Sequence, residues 1–287
     1  MNRAMAAQRL DEASKAIRYH YDVGNDFYEL WLDKTLSYSC AIWADSKTLD
    51  AAQENKIAYH LDAIGAPGLT SVLDIGCGWG GVLGALELMP GIKRAMGLTL
   101  SDAQADFIQK QGYSKVTIEV KNWQEFQPVA PFDGIISIGA FEHFATPTDS
   151  VEEKIAIYRS FFASCRDWLA VGGRLSLQTI AYGSMHREQA SSFFNEQIFP
   201  NADLPTLAEI AQAADGLFEI QRVENGRLDY AKTCEAWYRR LSANKAVAVE
   251  GVGEAVVARY LRYLKMSAYG FQFGKIQLLR LQLQALR

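Results

Sequence analysis

Residues 72–81 read VLDIGCGWGG. Val72, Leu73 and Ile75 make a short apolar run, and such a run ending on glycine predicts a strand buried on both faces. Three glycines then alternate with Cys77 and Trp79 as G-x-G-x-G, after which GVLGALELM (81–89) takes up helical spacing. A strand, a glycine turn and a helix in that order place backbone N–H groups at a helix N-terminus, beside a crevice where a ligand can approach the main chain. The spacing is not the G-x-G-x-x-G of dinucleotide-binding domains, and no G-x-x-x-x-G-K-[ST] occurs.

Outward from this turn, KRAMGLTL (93–100), KVTIEV (115–120), DGIISIG (133–139) and GRLSLQTI (173–180) are further strand candidates. SDAQADFIQKQG opens on a Ser/Asp cap and reads as a helix, and a second helical stretch covers 151–170. Strands alternating with helices predict a parallel sheet with helices on both faces, a Rossmann-like α/β fold. Past residue 180 the stretches are mostly helical, apart from LFEIQRV (217–223) and the alternating KIQLLRLQLQAL (275–286). The expected organisation is an N-terminal helical segment over the site (1–50), an α/β core (51–180), a mostly helical substrate cap with a strand candidate near 217–223 (181–265), and a last strand returning to the core (266–287). Residues 3–16 predict a short amphipathic helix that could pack over a neighbour's site in a homo-oligomer.

The chain has 287 residues, 49% of them hydrophobic and 22% charged, which suits a folded globular protein able to bury a core. Cys40, Cys77, Cys165 and Cys234 lie far apart with no C-x-x-C, which argues against a disulfide framework or a metal site and suggests a reducing, cytoplasmic setting. Neither a signal peptide nor a membrane-spanning run opens the sequence. The net charge of −4 is uneven: residues 231–287 hold ten Lys/Arg against three Asp/Glu, a local +7, leaving −11 for the rest. That basic segment either docks on the acidic body or meets an anionic substrate. No nucleic-acid module is recognisable.

D-I-G-C-G-W-G looks like motif I of the AdoMet-dependent methyltransferases, a match that speaks for the class and little for the substrate. An acid often ends the second strand of such enzymes; here GLTLSDAQ (97–104) offers neutral hydrogen bonds from Thr99, Ser101 and Gln104. Trp123, just past the third strand, could flank an adenine. Cys40 sits in LSYSCAIW (36–43). A nucleophilic cysteine needs a base and an electropositive setting. The neighbouring residues supply neither, so Cys40 reads as the wall of a pocket.

With YDVGNDFYELWLDKTLSYSCAIW (21–43), ISIGAFEHF (136–144), LDYAKTCEAWYRR (228–240) and GFQFGKIQL (270–278) added, the chain resembles the cyclopropane fatty acid synthase family. That family includes the mycolic acid cyclopropane synthases and related C-methyltransferases. The resemblance implies a seven-stranded methyltransferase sheet and AdoMet contacts from Tyr38, Ser39, Gly76, Gly78, Thr99, Gln104 and Trp123. Asp74, Gly80, Leu100 and Gly139 fall in the same segments and join the cofactor set. It also implies a bicarbonate ion held by Cys40, Glu142, residue 178, Ile180 and Tyr230. Three positions depart from the family: Gln178 where histidine is usual, Gln124 where glutamate follows the tryptophan, and Gln272 where arginine is common. Glutamine can donate to an anion but cannot carry a proton. The family motifs begin about twenty residues in, so the N-terminal lipid-binding domain of the phospholipid-acting enzymes is not expected.

An alkene is a weak nucleophile that must be aligned with the methyl donor in a dry site, and its attack leaves a carbocation that aromatic faces stabilise. Tyr19, Tyr21, Phe27, Tyr28, Trp31, Phe141 and Tyr230 are the aromatic candidates, two or three of them facing the pocket, with Gln178 and Ile180 alongside. Glu142, at the end of the fourth strand, is the candidate for organising proton loss, directly or through a bound anion. His143 orients the loop beside it, and His60 carries no readable signal. The leading expectation is an AdoMet-dependent C-methyltransferase acting on an electron-rich carbon of a hydrophobic, prenyl-type molecule. Its alternatives are a cyclopropane synthase on unsaturated acyl chains, a small-molecule N-methyltransferase and a non-catalytic AdoMet-binding protein.

Overall fold

A computed structural model describes residues 24–189 and 202–286. A seven-stranded sheet runs in the order β3-β2-β1-β4-β5-β7-β6. Its strands are β1 (Ser71–Ile75), β2 (Arg94–Thr99), β3 (Val116–Val120), β4 (Phe132–Ile138), β5 (Leu169–Tyr182), β6 (Phe218–Asn225) and β7 (Ile276–Ala285). The pairs β1–β2, β2–β3, β1–β4 and β4–β5 are parallel, while β7 lies antiparallel between β5 and β6. From β1 the chain winds outward to β2 and β3 on one side and to β4 and β5 on the other, so a crevice opens beyond the C-terminal ends of β1 and β4.

Side-chain alternation divides the core. Val72, Ala95 and Ile136 pack against α2 (Leu49–Ile64), α3 (Gly81–Leu88) and α4 (Asp102–Gln109) through Ile57, Ile64, Leu83, Leu86 and Ile108. Leu73, Ile75 and Ile135 face the other way, onto Phe161, Phe162 and Cys165 of α5 (Val151–Trp168) and Ile210 of α6 (Leu207–Ala214). The Ser101 hydroxyl caps α4 by accepting from the Gln104 N–H, and Ser150 and Glu153 form a reciprocal capping box on α5.

A third, largely aromatic cluster joins α1 (Asn25–Glu29) to α7 (Arg227–Ala243), α8 (Lys245–Val252) and α9 (Glu254–Gln272), which together cover one end of the sheet. Several expected boundaries shift. Residues 266–272 belong to α9, because the buried spacing of Tyr260, Tyr263, Leu264, Ser267 and Phe271 carries the helix to Gln272 before Gly274 (φ 67°) turns it. The core strand extends to Tyr182, and the strand candidate at 217–223 forms the sheet edge as β6. Between residues 24 and 48 only α1 is α-helical; the segment is mostly loop. The expected helix at 3–16, with Tyr19 and Tyr21, lies outside the described residues. Among the described residues no helix is long and apolar enough to cross a membrane.

Candidate active site

From Ile75 the chain turns through Gly76 (φ 80°) and Gly78 (φ 54°) into α3. A Cβ on Gly76 would sit 2.7 Å from Cβ of Ala140, whereas one on Gly78 would meet nothing within 4 Å. The first is held by packing and the second opens onto space, a cavity of about 160 Å³. Tyr38, Ser39, Asp74, Gly76, Gly78, Thr99, Leu100, Gln104, Trp123 and Gly139 all line it. Gly80 does not. It caps α3 in a left-handed conformation, and a Cβ there would meet Ile108 at 2.9 Å, so its place is set by helix packing. Thr99 Oγ1 donates to Gln104 Oε1 at 2.7 Å, which leaves the Gln104 amide nitrogen for an outside acceptor. Trp123 is edge-on to Phe161 with centroids 5.3 Å apart, so the indole is partly core and partly cavity wall.

Two buried charged groups face this cavity. Asp74 has its carboxyl pushed up to about 7 by burial, against the pull of the Lys56 cation. Lys56, from the inner face of α2, donates to Ser37 Oγ at 3.0 Å and Ser39 Oγ at 3.3 Å, and burial holds its ammonium down to about 8. An acid, an amine and a glycine cradle in one cavity fit the zwitterionic methionyl end of AdoMet.

A second cavity, about 280 Å³, adjoins the first across Tyr38, Ser39, Gly139 and His143, which line both. Its wall is apolar and aromatic, with Ile180, Met185, Leu204, Tyr230, Tyr263, Met266, Phe271 and Leu278. Tyr230 of α7 stacks on Phe271 of α9 with centroids 4.2 Å apart. Glu142 enters from the 3₁₀ turn Phe141–His143 that follows β4. Its Oε1 accepts from the Ile180 N–H and its Oε2 from Thr179 Oγ1, each at 3.1 Å. Burial nevertheless prevails, pushing its carboxyl up to about 7. Burial also holds His143 down to about 4, so its imidazole is neutral at physiological pH.

Other expectations need correction. Cys40 lines neither cavity: it is fully buried behind the wall, with Sγ 3.3 Å from an Arg280 nitrogen and 3.1 Å from the Ala41 carbonyl. Burial pushes its thiol up to about 12, so it is no nucleophile. Phe27 packs on Tyr28, Trp31 and Tyr260, and Phe141 stacks on Tyr158 at 4.4 Å, so neither ring reaches a cavity. Of the five positions implied for bicarbonate, Glu142, Gln178, Ile180 and Tyr230 line the second cavity. The Ile180 N–H is already given to Glu142, and Cys40 is excluded. That set is a poor fit to the ion, and no step below passes through it. Lys56, His60, Tyr263, Phe271 and Arg280 escaped the sequence reading. Gln53, Lys56 and His60 at spacings of three and four mark one buried face of α2, a polar stripe that could have pointed to them.

A glycine cradle at the switch point of this sheet, opening into a second apolar cavity, is the site of an AdoMet-dependent methyltransferase. Within that class the chain belongs to the mycolic acid cyclopropane synthetase family, whose sequence profile matches residues 8–281. It is 34% identical over 283 residues to cyclopropane mycolic acid synthase 1 of Mycobacterium tuberculosis, covering 91% of this chain and 93% of that protein. The structure of the cyclopropane synthase MmaA2 from the same organism superposes with a TM-score of 0.84 at 32% identity, covering 94% of this chain and 98% of that one. Mycolic acid cyclopropane synthase CmaA1, solved with SAH and CTAB, gives 0.83 at 32% identity with the same coverage.

Proposed function

We propose that the protein methylates the carbon–carbon double bond of an unsaturated acyl chain and closes the product to a cyclopropane. The observation that carries this reading is Glu142, a buried carboxylate in an aromatic cavity that shares a wall with the glycine cradle. AdoMet, when bound, supplies a methyl made electrophilic by its sulfonium. Asp74 and Lys56 would hold the two charges of its amino-acid end, with Gln104 available to the ribose and Trp123 to the adenine. Tyr38, Ser39, Gly139 and His143 line the passage through which the double bond meets the methyl.

Attack by the π electrons on that methyl would form the new carbon–carbon bond as the sulfur–methyl bond breaks, its electron pair staying on the departing thioether sulfur, and would leave a cation on the acyl chain. The faces of Tyr230, Tyr263 and Phe271 stabilise it, each by roughly 0.5–2 kcal/mol in a dry pocket. Glu142, fixed by Thr179 and Ile180, accepts a proton from the transferred methyl, and the freed electron pair closes the ring. Loss of a different proton would give a methylated or exomethylene product instead.

The family and its relatives, and not the basic segment, favour the acyl reading over the prenyl one, since Lys275 of that segment lines the second cavity while other charges lie elsewhere. Arg240 pairs with Asp50 at 2.6 Å, Lys245 with Glu254 at 2.8 Å, and Lys232 lies over the Trp43 ring. These charges hold the cap to itself and to the body. Incubation with AdoMet and a panel of unsaturated phospholipids, acyl thioesters, prenyl diphosphates and amines tests the substrate class. Methylated acyl products are expected, and turnover of prenyl diphosphates or amines alone would overturn the reading.

A further inference from the structure

Helix α9 carries two adjoining faces. Tyr263, Met266, Ser267 and Gly270, at spacings of three and four, line the second cavity. The neighbouring stripe, Arg262, Lys265, Tyr269 and, just past the helix end, Phe273, is exposed. Tyr269 is 55% exposed and Phe273 73%, and their rings stack with centroids 6.3 Å apart. Large rings left this open gain free energy from any partner that buries them. A third apolar side chain comes to the same corner. Arg227 Nη1 donates to the carbonyls of Phe271 and Gln272 at 3.0 and 2.8 Å, and the residue after it, Leu228, is 54% exposed.

The corner is also basic. Residues 255–287 contain six Lys/Arg and no Asp/Glu. Lys275, on the turn from α9 into β7, is exposed and lines the second cavity as well, so it stands at the cavity's mouth. Of the nearby acids, Glu224 pairs with Arg222 and Asp229 accepts from the Trp43 N–H at 3.3 Å. Glu188 precedes Gln189 on the facing lip, so the basic character belongs to the α9 side of the mouth. An acyl chain has to reach this mouth. Each methylene that leaves a lipid layer for water costs about fourfold in equilibrium constant, and a run of about ten costs about a millionfold. Entry without that loss requires the mouth to sit against the layer itself. Apolar rings beside lysines are the composition of helices that lie in a lipid interface.

We propose that the corner made by the end of α9 and the turn into β7 is a docking surface for an anionic lipid layer. Tyr269 and Phe273 seat among the upper methylenes, and Lys265 and Lys275 meet head-group phosphates. Docked in this way, the second cavity opens onto the layer, and one acyl chain passes into it without crossing water. The contact is superficial, and no segment spans the layer. Charge and apolar complementarity together select a lipid surface: phosphates answer the lysines and methylenes answer the rings. An acidic protein answers only the lysines. The purpose of the docking rests on the acyl reading above; the binding itself does not.

The test is binding of the full chain to vesicles of dioleoyl phosphatidylcholine, with and without about one-third dioleoyl phosphatidylglycerol, read by flotation in about 0.1 M salt. Binding is expected to the anionic vesicles and to be much weaker on the neutral ones. Lys265→Gln and Lys275→Gln should each weaken it about fivefold, a loss that shrinks in about 1 M salt. Tyr269→Ala combined with Phe273→Ala should weaken it about tenfold or more at either salt. Leu88→Ala, at the end of α3 away from the glycine turn and 83% exposed, should change nothing. The four docking positions are all exposed, so thermal midpoints should hold. If the aromatic double variant does lose midpoint, Phe273→Trp replaces it: its added fluorescence should be quenched by lipids brominated on their acyl chains. A protein that ignores both vesicles, or binds them with no loss in any variant, would overturn the proposal. Binding of a purified acidic acyl carrier protein through Lys265 and Lys275, with vesicles ignored, would give the surface to a protein and overturn the lipid assignment. Vesicle binding with the expected losses in a protein inactive on every acyl substrate would leave the docking surface standing and fail only the acyl reading. Turnover on these vesicles with none of the losses would uphold the acyl reading and sink the docking surface.

Discussion

Glu142 carries opposing influences: burial raises its proton affinity, while the Ile180 N–H and the Thr179 hydroxyl lower it, and burial prevails. As a base it must be ionised, so kcat/KM should fall as pH drops below about 7. Glu142→Gln should reduce kcat by roughly 10²–10⁴-fold while AdoMet binding, read by calorimetry, stays unchanged. The stability consequence has a definite sign. A carboxyl raised from 4.5 to about 7 on folding favours the native state below pH 4.5, and that contribution is lost as pH rises through 7. The native protein should therefore lose thermal midpoint, relative to Glu142→Gln, between pH 5 and pH 8. A midpoint difference that ignores pH would contradict the burial argument. Lys56 belongs to the same scale: Lys56→Met should weaken AdoMet binding about tenfold or more in a titration at pH 7, a charged hydrogen bond being lost. Such residues are where the sequence is least legible. Asp74 and the glycines announce themselves by spacing, but Lys56, His60 and Arg280 matter through neighbours that are remote in the chain.

At the scale of elements, the cap is tied to the core by a buried ion pair. Lys154 of α5 pairs with Asp203 at 2.8 Å and donates to the Leu204 carbonyl, while the Tyr182 hydroxyl donates to Asp203 Oδ1 at 2.7 Å. Leu204 lines the second cavity, so this pair sets one of its walls. Removing Asp203 takes a charged hydrogen bond from Lys154 but leaves it Glu209 at 3.4 Å, so Asp203→Ala should cost roughly 1.5–3 kcal/mol in chemical denaturation. A loss under 1 kcal/mol would mean the pair is solvated. Element identities were readable where a buried strand is a short apolar run or a helix carries a cap or an apolar stripe, as at Ser71–Ile75 and Val151–Trp168. Boundaries were less so. The alternation of the last strand made residues before 276 look extended, while the inward spacing of Tyr263, Ser267 and Phe271 kept them helical. Aromatic content misled similarly: Phe27 and Phe141 sit in conspicuous motifs yet fill cores, and the cavity takes Tyr263 from a stretch of helix outside any motif and Phe271 from the start of GFQFGKIQL.

At the scale of the whole molecule, the alternation of strands and helices implied a sheet with a crevice, and the glycine turn located the cofactor end of it. The apolar cavity was not legible, since it forms only when α7 and α9 fold back over β5 and β7 and bring Tyr230, Phe271 and Leu278 to the mouth of the cradle. The two cavities meet with Glu142 at hand, and ring closure is the most specific consequence proposed for that juxtaposition. The direct test is product mass spectrometry with AdoMet carrying a CD3 methyl and an unsaturated acyl substrate. The expected product holds two of the three deuteriums, with cyclopropane methylene signals in its NMR spectrum. A product that keeps all three deuteriums would show that the methyl never loses a proton, and would contradict ring closure at this site.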